Sequence, residues 1–227
     1  APDSGLIAVG FSYAYGSGAS DVYVIKFGKY GNSEWITTVG GFYNEGNAPG
    51  TSVAPLADGG FVVAGNTMSF GGSSSDIYLI KLNADGTLAW TRTFGGPQFD
   101  EPSAVVQTFD GGIAIGGVFI PPNNHPDYHL TKFNAAGTML WSKSVDAGGS
   151  EILKDMVQTS DKGFIMAGFS DAYAPNSNDG LVVKLDSLGN IEWSSLVGDD
   201  SFNEQPTSIV QDKDNNYAIV GIKKEGD

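Results

Sequence analysis

Short apolar runs of four to seven residues, each stopped by Gly, Asp or Asn, succeed one another along the whole chain. DIYLIKL (76–82) and FVVAG (61–65) are typical: β-branched and aromatic residues dominate them, which marks short strands rather than helices. The stops carry a conformational meaning. Asp58-Gly59-Gly60 and Asp110-Gly111-Gly112 supply the positive φ that a tight hairpin needs, and NADGT (83–87) and NAAGT (134–138) supply it again one hairpin later. The pattern predicts an all-β chain of consecutive antiparallel hairpins.

The runs also recur at a fixed interval. Trp35, Trp90, Trp141 and Trp193 are 55, 51 and 52 residues apart. GLIAVG (5–10), GFVVAG (60–65), GIAIGG (112–117), GFIMAG (163–168) and NYAIVG (216–221) keep the same spacing. A further apolar piece precedes all but the first of these, in TSVAPLADG (51–59), SAVVQTFDG (103–111), DMVQTSDKG (155–163) and TSIVQDKDN (207–215). Each unit therefore reads as a four-stranded antiparallel meander of about 52 residues, close to the roughly 40–50 of a propeller blade. The expected architecture is a single β-propeller domain over 1–227, with complete blades at 48–95, 100–146 and 151–198. The N-terminal segment 5–41 holds three strands, and 203–212 supplies the missing first one. Joining them would make a fourth blade and close the ring, leaving 216–223 as a surplus strand that adds outside the ring, displaces its N-terminal twin or adds to a neighbour's sheet edge. A five-bladed ring, or part of a larger one, is the alternative.

ADGGFVVAGNTMSFGGSSSDIYLIKLNADGTLAWTRTFGG (57–96) and SDKGFIMAGFSDAYAPNSNDGLVVKLDSLGNIEWSSLVG (160–198) resemble a family of bacterial and archaeal β-propeller repeats. These repeats occur in secreted, cell-surface or filament-associated proteins, and the resemblance covers essentially the whole chain. It implies a propeller fold, a prokaryotic extracellular or cell-surface location, and an adhesive or assembly role. NADGTLAW (83–90) is more weakly similar to quinoprotein-type propeller repeats, which also set a Gly turn shortly before a docking Trp. That similarity implies a packing role for the Trp and no catalytic part.

Composition narrows the partners. A net charge of −14 and a pI near 4.3 argue against phosphate-backbone binding, which needs clustered Lys and Arg, and against an anionic membrane surface. With no cysteine there is no disulfide, thiolate metal site or cysteine nucleophile. No apolar run approaches the roughly 20 residues that cross a bilayer, so no membrane insertion is expected. A chain that starts at Ala1 fits one whose secretory signal has been removed.

Candidate chemistry lies with the acids. Asp21, Asp76, Asp127 and Asp179 open the third strand of each repeat, and Glu45, Asp100, Glu151 and Glu204 lie near the start of the first. In a meander these loops emerge on one face, so the first four are candidate Ca²⁺ ligands and the second four mark a ligand or partner face. The plainer reading is that each Asp caps its own loop through backbone N–H groups. Lys26, Lys81, Lys132 and Lys184 recur too, as local partners for turn carbonyls and carboxylates. DKDNN (212–216) resembles the opening of a Ca²⁺ loop, but Tyr217 stands where Gly is required, so it reads as another copy of the Asp-Gly-Gly turn.

FIPPNNHPDYHL (119–130) is the most individual stretch. In an extended chain His125, Asp127 and His129 point to one side, a spacing that suits a transition metal. With two histidines, both in one repeat, a Ser-His-Asp triad lacks an evident nucleophile, and no Walker or dinucleotide glycine pattern occurs. The expected function is therefore non-enzymatic: an extracellular or cell-surface propeller for adhesion, assembly or ligand display, with no catalytic residue and no cofactor beyond Ca²⁺. Its partner would be a surface protein or glycan, or another copy met through the C-terminal strand. The alternative is a glycan-active hydrolase or lyase using loop carboxylates. The places where the copies disagree, namely the 119–129 loop, the 42–50 insertion and the unmatched terminal strand, are where function is sought.

Overall fold

The computed structural model describes residues 4–46, 51–72, 74–121, 125–173, 178–198 and 202–225. Positions 47–50 of the 42–50 insertion and 122–124 of the 119–129 loop lie outside the described residues.

Every hairpin read from the apolar runs forms. β1 (Leu6–Ser12), β2 (Asp21–Phe27) and β3 (Ser33–Val39) make a three-stranded sheet. β4 (Ser52–Pro55), β5 (Phe61–Thr67), β6 (Asp76–Leu82) and β7 (Leu88–Phe94) make a four-stranded one. β8 (Glu101–Gln107), β9 (Ile113–Phe119), β10 (Asp127–Phe133) and β11 (Met139–Val145) repeat it, as do β12 (Glu151–Gln158), β13 (Phe164–Ser170), β14 (Asp179–Leu185) and β15 (Ile191–Val197). β16 (Phe202–Gln211) and β17 (Tyr217–Glu225) form a final two-stranded sheet. Strands pair antiparallel in chain order throughout, and no helix is present among the described residues.

The first hairpin of each repeat turns at Gly59, Gly111, Lys162 or Asn215, with φ of 84°, 79°, 71° and 66°. An Asp carboxylate three residues before the following strand fixes that turn: Asp58, Asp110 and Asp161 accept the N–H of Gly60, Gly112 and Gly163 at 2.9–3.0 Å. The recurrent lysines lie in the third strands and pair with the same acids, Lys81 with Asp58 at 2.6 Å, Lys132 with Asp110 at 3.0 Å and Lys184 with Asp161 at 2.9 Å. In the first sheet, where no such turn precedes, Lys26 pairs with Glu34 at 3.0 Å instead.

Sheets stack face to face, with the first strands β4, β8, β12 and β16 packed successively against one another, which is a propeller-like arrangement. Cores form between neighbours: Val22 and Val24 meet Val63 and Ile80, Ala64 and Leu79 meet Ile113 and Ile115, and Leu130 meets Phe164 and Met166. Because β5, β6 and β14 are covered on both faces, they read as continuous apolar runs rather than alternating ones. Trp35, Trp90 and Trp141 each tie their sheet to the next by lying on that sheet's turn glycine. A Cβ at Gly86, Gly137 or Gly189 would come within 2.6–2.9 Å of Trp35, Trp90 or Trp141, so only glycine admits the ring. The Trp35 indole also donates to the Ala84 carbonyl at 3.1 Å. A second tie comes from Gln107, Gln158 and Gln211, whose side-chain oxygens accept the N–H of Ala57, Phe109 and Ser160 in the preceding sheet at 2.8 Å.

Ring closure departs from expectation. The strand at 203–212 does not join the N-terminal three; it pairs with β17, from Phe202↔Glu225 to Gln211↔Tyr217. The segment at 216–223 is thus the partner of β16, in the place expected of its N-terminal twin β1. Both β1 and β17 carry the strand-two pattern, so either can complete β16, and the hairpin across 212–216 closes a far shorter loop. β16 packs on β12, β13 and β14, while β17 stays largely exposed. Among the described residues no helix is long and apolar enough to cross a membrane.

Candidate functional site

The recurrent acids come together at the junctions between sheets, and they are buried. One backbone bond brings each pair in. The N–H of Glu45, Asp100, Glu151 and Glu204 donates to the carbonyl just before the recurrent Asp, on Ser20, Ser75, Pro126 and Asn178, at 2.6–2.9 Å. Their carboxylates then cap the Gly-rich turn that follows the fourth strand. Glu45 Oε2 accepts Gly41 N–H at 2.7 Å, Asp100 Oδ2 accepts Gly96 N–H at 2.5 Å, and Glu151 accepts the N–H of Ala147 and Gly149 at 3.2 and 3.3 Å. Asp76 caps its own loop through Gly72 N–H at 2.7 Å. Glu204 pairs with Lys223 at 2.9 Å. Loop capping thus engages Glu45, Asp76, Asp100 and Glu151. Asp21 Oδ1 is buried without a hydrogen-bond partner, and burial together with the neighbouring Glu45 charge raises the Asp21 pKa.

The third repeat is different. Where the first, second and fourth carry Gly40, Gly95 and Gly198 after the fourth strand, the third carries Asp146. Asp127, Asp146 and Glu151 each bring an oxygen to within 4.8 Å of the other two. Burial, then Asp146, then Glu151 push the Asp127 pKa up to about 6. Three hard oxygens at that spacing suit a cation such as Ca²⁺ better than any two-acid pair. The histidines do not join them. His129 places its ring nitrogens 3.0 and 2.5 Å from the hydroxyls of Ser144 and Ser142 and stacks on Phe119, while His125 is exposed. Burial lowers the His129 pKa to about 4, so the ring is neutral at pH 7.

The junction between the second and third sheets opens into a cleft of about 280 Å³, walled by Phe94, Phe119, Met139 and His129, with Asp100 and Gly95 among its lining. At the neighbouring junctions the corresponding acid is a Glu that takes a hydroxyl from the end of the second strand. Thr67 donates to Glu45 at 3.1 Å and Ser170 to Glu151 at 2.8 Å. Here that hydroxyl position is Phe119, the acid is the shorter Asp100, and the tyrosine of the first two repeats (Tyr23, Tyr78) is His129. Among the described residues Asp100 Oδ1 keeps only Ile120 N–H, at 3.4 Å. Burial, and more weakly the charge of Asp76, raise its pKa to about 6. Aligning the copies would have exposed Phe119 and Asp146 as departures; the cleft itself follows only once the sheets are stacked.

A second departure lies on the loop side of the first two sheets. Loop 13–20 rests on 41–44 through the Ser20–Asn44 bridge, and 41–44 rests on Ser69, whose hydroxyl accepts Tyr43 N–H at 2.8 Å. Tyr13, Tyr15, Phe42 and Tyr43 are all exposed there. Phe11 and Tyr13 make an edge contact at 5.5 Å, as do Phe42 and Tyr43 at 5.3 Å.

No family model matches the chain. A stretch of 113 residues is 29% identical to the regulatory protein FlaEY of Caulobacter vibrioides, covering 44% of this chain and 12% of that protein. A solved protein of unknown function from Dyadobacter fermentans superposes with a TM-score of 0.58 at 12% identity, covering 89% of this chain and 64% of that chain. A mannose phosphorylase from Leishmania mexicana, solved with phosphate ion, gives a TM-score of 0.46 at 13% identity over 97% of this chain and 82% of that one. The chain therefore spans a small part of FlaEY and less than two thirds of the Dyadobacter protein. The Dyadobacter likeness bears on fold alone, and with the stacked antiparallel meanders the chain is an all-β, propeller-like protein.

Proposed function

We propose that the chain is a non-catalytic extracellular or cell-surface module that binds a protein or glycan partner through the loop side of its first two sheets. The exposed rings of Tyr13, Tyr15, Phe42 and Tyr43 carry this reading. Clustered aromatic surface is costly to leave in water and is the usual anchor of a recognition patch. The recurrent acids are buried inside the junctions, whereas these rings are turned outward. The extracellular location rests on the resemblance of the repeats. Replacing all four rings by Ser should abolish retention on prokaryotic surface preparations and on glycan or protein arrays, without moving the thermal transition. Unchanged retention would overturn it. Self-association through β17, where Val220 and Ile222 are exposed, belongs to the same proposal. An unchanged oligomeric mass after deletion of residues beyond Asp214 would remove that part.

A second reading, a glycan-active hydrolase or lyase, draws on Asp127, Asp146 and Glu151. Their oxygens lie within 4.8 Å of one another, near the roughly 5 Å of a retaining carboxylate pair, and Asp146 is exposed. Turnover on a glycan panel, lost in Asp146→Asn, would establish it; a panel without turnover would sink it.

A further inference from the structure

We propose that the cleft between the second and third sheets binds a small primary amine with an apolar body, its ammonium on Asp100 and its body between Phe94, Phe119 and Met139. This goes beyond the partner surface proposed above and does not depend on it.

The case rests on how this junction differs from its sisters. The backbone staple is kept, since Asp100 N–H still reaches the Ser75 carbonyl at 2.9 Å. What changes is side chains alone, and the changes act together. Shortening Glu to Asp draws the carboxylate back, and replacing the hydroxyl with Phe119 removes its partner while adding an apolar wall. The result is a half-open space of about 280 Å³, at the small end of ligand cavities, with one carboxylate at its base. A cavity with apolar walls, the neutral polar groups of His129 and Ser142 and a single convergent charge selects a ligand with one complementary charge and an apolar remainder.

Charge decides the sign. Among the described residues neither Asp76 nor Asp100 has a Lys or Arg ion pair, although the lysines of the same sheets pair with Asp58 and Asp110. His129 brings no positive charge, because its ring is neutral at pH 7 and held by two serines. An ammonium would find Asp100 Oδ1, whose one donor among the described residues is distant, and Phe94 and Phe119 would wall its body. An anionic ligand would meet two uncompensated acids, and a neutral one would leave them as they are.

The test uses 2-phenylethylamine on the whole chain at pH 7.5, followed by calorimetry and by the Met139 methyl and Phe119 ring resonances. Saturable binding is expected, with 2-phenylethanol at least about tenfold weaker, the loss that follows from removing one charge-assisted hydrogen bond. Asp100→Asn should weaken the amine by about the same factor. The double variant Asp100→Glu/Phe119→Ser rebuilds the sister junctions, so it should keep the fold and abolish binding, which decides the matter should Asp100→Asn fold poorly. Equal affinity for the alcohol, full binding by the folded double variant, or no saturation at millimolar amine would overturn the proposal.

Discussion

The junction between the first and second sheets and the one between the second and third share a backbone and differ in what fills them. In the first, Glu45 accepts hydrogen bonds from Thr67 and Ser69; in the second, Asp100 and Phe119 line a cleft of about 280 Å³. Both keep the same N–H to carbonyl staple and the same tryptophan on a turn glycine. Structure in this chain is thus secured by a few repeated contacts. The side chains that line a junction can vary without disturbing the sheets, so a site can appear at one of them.

The largest expected effect tests the shared part. Trp90→Ala removes the ring that covers Gly137 and should cost about 3 kcal/mol in chemical denaturation, the range for truncating a large aromatic that packs a core. A loss below about 1 kcal/mol would mean that the tryptophans do not hold the junctions together. Next comes the pH dependence peculiar to the open junction. Asp100 has its pKa raised to about 6, so its contribution to stability is complete below its ordinary carboxylate pKa and is lost as pH rises through about 6. Asp100→Asn cannot ionise, so the fall in stability between pH 5 and 7.5 should shrink by on the order of 1 kcal/mol relative to wild type. An identical slope in both proteins would show that Asp100 titrates normally.

The smallest effect concerns the turn acids. Asp110 and Asp161, held by hydroxyl, lysine and backbone donors, have pKa values near 2. Their contribution is present above the ordinary carboxylate pKa and is lost as pH falls toward about 2, the opposite sign to Asp100. Both are more than half exposed, so solvent screening holds the effect of either Asp→Asn change to under about 1 kcal/mol. Acid-unfolding curves of the two variants should therefore lie close to wild type and converge with it below pH 3.

Strand positions, hairpin turns and the packing role of the tryptophans are legible in the sequence, because each follows from local periodicity and turn chemistry. The partner of β16 is not. β1 and β17 carry equivalent apolar runs, and only the geometry of the short 212–216 turn separates them. The acids were placed at the correct loop ends, but their burial was hidden, since a carboxylate beside glycines looks exposed until the backbone N–H groups that solvate it are in place. Phe119 and Asp146 were readable as misfits among the copies. What they do became visible only through their neighbours, Asp100 and His129 for the one, Asp127 and Glu151 for the other.

Carboxyl ¹³C NMR of the wild-type chain, titrated with and without 2-phenylethylamine, tests the central claim that the open junction is a binding site. The expected result is an Asp100 midpoint near 6 in the free protein, falling by about one pH unit or more when the amine is saturating. An Asp100 that titrates in the ordinary carboxylate range, or one whose midpoint does not move with the amine, would contradict it.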